Sequence, residues 1–136
     1  MAMQLLIYSD RDDKNSQRLE AAVHKIIPEG RIGHFRSLQD FRGRLRKPIE
    51  PDSVAVLLAS SREELRQMQL LRGLLTELYV VLVLPDLRKD TIKNAHLLLP
   101  RFLSQKDSDF KDLKEVINKM YVNSQASCNR EISRGS

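Results

Sequence analysis

The residues able to do chemistry in this chain fall into four short polar clusters, each placed directly after an apolar run. Ser9-Asp10-Arg11-Asp12-Asp13 supplies three carboxylates in four positions, and a hard divalent cation needs several such oxygens converging on it. Ala59-Ser60-Ser61 supplies hydroxyls, which act as nucleophiles only beside a base. Pro85-Asp86 adds one more acid, and Gln105-Lys106 adds an amide and a fixed positive charge that could meet an anion. Plainer roles compete with each of these. Acids such as Asp10, Asp12 and Asp13 commonly serve loops and turns, Ser60 and Ser61 precede a helix, and Asp86 after Pro85 reads as a turn residue. His24, His34 and His96 are scattered over separate elements, which suggests no ligand cluster, and the lone Cys128 provides neither an intramolecular disulfide nor a metal set. No catalytic residue, metal or cofactor is assigned.

The elements that position these clusters emerge from apolar periodicity. Residues 3–8 form a compact apolar run fitting a buried strand, and 54–58 is apolar throughout, as expected of a central strand covered on both faces. A third such run spans 79–84, with weaker strands at 31–36 and 101–104. Helical spacing links Leu19, Ala22, Val23, Ile26 and Ile27, with Ser16 as the expected N-cap and Pro28-Glu29-Gly30 as the stop. Ser37 with Asp40 and Ser61 with Glu64 have capping-box spacing. They open helices whose inner sides are Leu38, Phe41 and Leu45 in the first, and Leu65, Met68, Leu71 and Leu75 in the second. A short helix is expected over 90–98. A last one, capped by Ser108, carries Phe110, Leu113, Val116, Ile117, Met120 and Tyr121. The chain then turns polar, so 1–122 is read as one domain and 123–136 as a flexible polar tail.

Composition limits the classes available. A chain of 136 residues with 41% hydrophobic and 30% charged residues suits one soluble globular domain. Its apolar runs are too short to span a bilayer, and no secretory signal is read at its start, so a cytoplasmic location is expected. Charge is concentrated. Arg31, Arg36, Arg42, Arg44, Arg46 and Lys47 face one acid, Asp40, so the segment 31–47 carries the whole net charge of +5. Arg36, Arg42, Arg44, Arg46 and Lys47 make a candidate basic surface, although alternation spreads Arg42, Arg44 and Arg46 over about 200° of a helix. Phe35 and Phe41 are the only aromatic residues in that segment that could stack on bases.

Five strands alternating with five helices imply a three-layer αβα fold around a parallel sheet, since parallel strands need crossover connections. The flavodoxin-like order 2-1-3-4-5 is expected, with ligands gathering outside the carboxyl ends of the strands. On these features the chain resembles the receiver domains of two-component response regulators over about residues 3–121, from Leu5-Leu6-Ile7-Tyr8-Ser9-Asp10 to Phe102-Leu103-Ser104-Gln105-Lys106 and the helix beyond. The resemblance implies an acidic pair after the first strand to hold magnesium and an aspartate after the third to accept phosphate. It also implies a Ser or Thr after the fourth strand and a lysine after the fifth. Matched position by position, Ser9 and Asp10 fall on the acidic pair and Ala59 on the phosphoacceptor. Pro85 falls on the hydroxyl position and Gln105 on the lysine, with Lys106 one place late.

The resemblance therefore implies a degenerate receiver, or pseudo-receiver. Its vestigial pocket would comprise Ser9, Asp10, Asp13, Ala59, Ser60, Pro85, Asp86, Gln105 and Lys106. The expected function is a non-enzymatic signalling module acting by protein contact, with a partner or second copy engaged through 90–121. Two alternatives stay open. One is a nucleotide or phosphorylated ligand in the strand-exit crevice, held by helix N-termini at Ser16 and Ser61 with Arg36 or Lys106. The other is nucleic-acid binding through the basic segment 31–47.

Overall fold

The computed structural model describes residues 4–10, 14–27, 31–49, 53–76, 78–105 and 110–135, with side chains described as far as residue 123. The expected Ser108 cap and the 28–30 helix stop lie outside the described residues, as do Asp12, Asp13 and Lys106.

Five strands make one parallel sheet: β1 (Leu5–Ser9), β2 (Ile32–Phe35), β3 (Val54–Leu58), β4 (Tyr79–Leu84) and β5 (Phe102–Gln105), in the spatial order β2-β1-β3-β4-β5. The helices are α1 (Lys14–His24), α2 (Leu38–Leu45), α3 (Arg62–Gln69), α4 (Arg72–Leu75), α5 (Lys89–His96) and α6 (Lys111–Gly135). The expected architecture and strand order are both observed.

Side-chain alternation along the strands explains why both faces must be covered. Leu6, Tyr8, Ala55, Leu57, Val80 and Leu82 join one core, with Phe41 of α2, Leu65 and Met68 of α3, Leu75 of α4 and Ala95 of α5. Their immediate neighbours Leu5, Ile7, Val54, Val56, Val81 and Val83 join the other, with Leu19 and Val23 of α1 and Leu113 and Ile117 of α6. All five residues of β3 are buried. Each such Val or Leu is worth about 1.5–3 kcal/mol when removed from water, so the middle of the sheet dominates stability.

Three local expectations are corrected. Ser16 is not an N-cap: α1 begins at Lys14, and Ser16 lies buried within it. Its hydroxyl donates to Glu20 Oε1 at 3.4 Å and accepts from Arg36 Nη1 at 3.0 Å. The single helix expected after β3 is divided at Leu70 and Leu71, so six helices are seen among the described residues. Leu65, Met68, Leu71 and Leu75 still line its buried side, because the turn between α3 and α4 preserves their phase. Finally, the backbone remains helical through Gly135, where aperiodic chain is expected from 123 onward. The sequence there contains no proline to interrupt a helix already nucleated by the packed turns at Leu113 and Ile117.

Candidate functional site

The strand register sets the candidate site. Ser9 aligns with Leu58, Leu58 with Val83, and Leu84 with Gln105. One residue beyond Ser9, Leu58 and Val83, parallel pairing brings Asp10, Ala59 and Leu84 into a row with Gln105. Ala59 is fully buried and its N–H donates to the Val83 carbonyl at 2.9 Å, so it continues the sheet instead of opening into the crevice. Ser9 is also buried. The side chains that reach the exit are those of Asp10 and of the loop that starts α3.

That loop is organised by a capping box. Ser61 is the N-cap of α3, with its hydroxyl accepting from the Glu64 N–H at 3.2 Å, while the Glu64 carboxylate accepts from the Ser60 N–H at 3.2 Å. Ser60 Oγ lies 3.2 Å from Asp10 Oδ2 and 3.2 Å from Glu64 Oε2, bridging the exits of β1 and β3. A hydroxyl carries one hydrogen, so it satisfies both carboxyl groups fully only when one of them is protonated. The electrostatics supply that proton. Burial first, then the hydrogen bond and charge of Asp10, push the Glu64 carboxyl up to about 7 against the opposing pull of the Ser60 N–H and hydroxyl. Beneath them burial raises the Tyr8 hydroxyl well above its usual range, followed by the charges of Glu64 and Asp10 and a hydrogen bond with Glu64. The ring of Tyr8 packs 5.8 Å from that of Phe41, which fixes it from the core side.

The remaining acid is committed elsewhere. Asp86 Oδ1 accepts from Thr91 Oγ1 at 2.6 Å and from the Arg88 N–H at 2.9 Å, so it ties the loop to the first turn of α5, the turn role expected of it. The Thr91 hydrogen bond, then that from Arg88, holds its carboxyl below the ordinary range, helped by the charges of Arg88 and Arg62. Among the described residues no three His, Cys, Asp or Glu side chains are grouped to hold a metal. Asp10 and Ser60 are thus brought together, Ala59 and Ser9 form the buried floor, and Pro85 and Gln105 are partly buried beside them. Glu64 belongs to this set although its sequence signal was only that of a helix-capping acid.

The alternative of an anion at helix N-termini rests on Ser16 and Ser61. Ser16 is inside α1, and at α3 an internal carboxylate, Glu64, already takes the Ser60 amide. Arg36 is likewise drawn away from the basic surface: Nη2 pairs with Glu20 at 2.9 Å, and Nη1 donates to Ser16 Oγ at 3.0 Å and to the Ser9 carbonyl at 3.4 Å. Arg44 donates to Gln4 Oε1 at 2.7 Å and to the Pro48 carbonyl. Arg42, Arg44, Arg46 and Lys47 line an open cleft of about 600 Å³ along α2, with Phe35 and Gly43. The histidines, scattered in sequence, are not all apart. His24 and His34 meet with their Nε2 atoms 3.2 Å apart.

No family model matches the chain, and no curated protein sequence matches it significantly. Its fold is nevertheless that of known structures. A pilus assembly-related protein of Burkholderia pseudomallei superposes with a TM-score of 0.64 at 16% identity, covering 89% of this chain and 90% of that one. The phosphorylated cyanobacterial phytochrome response regulator RcpA superposes with a TM-score of 0.61 at 14% identity, covering 93% and 96%. The strand order, the helices on both faces and these likenesses show a flavodoxin-like, receiver-like fold. Among the described residues no helix is long and apolar enough to cross a membrane.

Proposed function

We propose that this chain is a signalling module of receiver type that works by protein contact in the cytoplasm, without phosphotransfer or other catalysis. One observation carries this reading. The level of the sheet at which a receiver would accept phosphate is occupied by the buried methyl group of Ala59, and the adjacent Ser60 hydroxyl is tied between Asp10 and Glu64. Neither forms an acyl phosphate. Pro85 and Gln105, where a hydroxyl and a lysine would assist transfer, are consistent with the same loss.

The contact surface proposed is the face formed by α5, β5 and the first half of α6. Leu87 and Leu97 flank α5 and are about half exposed, and between the elements a cleft of about 260 Å³ is lined by Leu84, Ile92, Phe102 and Leu103 among others. Leu99 supports it more sharply. It lies in the turn beyond α5 with a φ of 52°, a left-handed conformation unfavourable to a side chain, while that side chain stands 71% exposed. Glycine would serve the turn better, so an apolar group held there favours a contact role. A protein partner or a second copy of the chain would be the occupant. Incubation with acetyl phosphate and magnesium followed by intact-mass measurement tests the loss of phosphotransfer. The expected mass is unchanged; an acid-labile phosphate adduct would overturn the reading.

A further inference from the structure

The cluster joining the last turn of α1 to the edge strand β2 has no part in the strand-exit site. His24 and His34 face each other by their ring edges: the Nε2 atoms are 3.2 Å apart, closer than the ring centres at 5.2 Å, and the planes lie within 14°. Behind His34, its Nδ1 stands 3.4 Å from Glu20 Oε1, and Glu20 is held in turn by Arg36 at 2.9 Å. A carboxylate at Nδ1 keeps the proton on that nitrogen and leaves the Nε2 lone pair of His34 directed outward.

We propose that His24 and His34 form a binding site for one borderline divalent transition-metal ion, with Nε2 of each as a ligand and water completing the coordination shell. Two imidazole nitrogens on one tetrahedral ion, each about 2.0–2.1 Å from the metal, stand about 3.3 Å apart, and the observed separation already matches. Only the ring planes must tilt so that both lone pairs meet on the ion. In the metal-free state the short contact requires one proton between the nitrogens, and the Glu20 contact places it on His24. Metal binding moves that proton to Nδ1 of His24, an exposed residue whose ring exchanges protons with water. Imidazole ligands select copper, zinc and nickel over magnesium or calcium. Glu20 is a positioning residue, and Arg36 links it to the Ser9 carbonyl, so the ion would brace α1 and β2 on one flank of the strand exits.

The test is titration of the full chain with Cu²⁺ followed by electron paramagnetic resonance, with Zn²⁺ as competitor. One Cu²⁺ per chain is expected, with splitting from two nitrogens, displaced by Zn²⁺. Either His24→Gln or His34→Gln should weaken binding by at least about tenfold and remove the two-nitrogen pattern, and Glu20→Gln should weaken it about 10–100-fold. His96→Gln and Cys128→Ser should leave it unchanged. Both exposed histidines can be replaced without disturbing the cores, which matching thermal melts without metal would confirm. Absence of binding at large excess, or binding that survives the His24→Gln and His34→Gln changes, would overturn the site. Unaltered affinity in Glu20→Gln would overturn the positioning role.

Discussion

Glu64 shows how one side chain can join two tasks. It caps α3 through the Ser60 amide and also shares the Ser60 hydroxyl with Asp10, while burial, and then the hydrogen bond and charge of Asp10, push its carboxyl up from 4.5 to about 7. Between those values the folded chain holds a proton that the unfolded chain has released, and the Glu64 contribution to stability is lost as pH rises through about 7. Glu64→Gln keeps the neutral shape and the acceptor for Ser60. Relative to wild type it should be equally stable near pH 4.5 and more stable above pH 7, by on the order of 1–3 kcal/mol. Urea midpoints of the two proteins across pH would show the difference; parallel profiles would refute it. The proton on Glu64 also explains how an exposed and a buried carboxyl tolerate one shared serine.

At the scale of elements, α2 is the piece that carries the basic cleft, and its attachment rests on few side chains. Phe41 and Leu45 are its buried residues, and Phe41 meets Tyr8 and Phe35 with ring centres 5.8 Å and 5.5 Å apart. Phe41→Ala should cost about 3–5 kcal/mol, measured by chemical denaturation. A loss below about 1 kcal/mol would show that the core collapses into the space left by the ring. This dependence was legible in the sequence, because Leu38, Phe41 and Leu45 fall on one helical stripe after the Ser37-Asp40 cap, and Ser37 does accept from the Asp40 N–H. The burial of Ser16 inside α1 was not legible. The same sequence pattern suits a capping serine or a buried one, and only Arg36, arriving from beyond β2, decides between them.

For the whole molecule, the exposed leucines beside α5 are the measurable part of the proposed contact face. Leu87→Glu combined with Leu97→Glu should leave the fold intact, since each residue is already about half exposed to water. In sedimentation velocity the wild type is expected to dimerise with rising concentration and the double variant to remain monomeric. A wild type that is monomeric throughout would refute dimerisation through this face. What the sequence by itself determined was the order of elements, the parallel five-stranded sheet and the absence of an aspartate at Ala59, because apolar period and residue identity are local properties. Tertiary structure decided which polar groups met. It drew Glu64 to Asp10 through Ser60, withdrew Arg36 from the basic surface and brought His24 to His34 across ten residues of chain. Such pairings follow from strand register and helix docking, where a few ångströms separate a hydrogen bond from a solvated side chain, and sequence spacing carries no record of that distance.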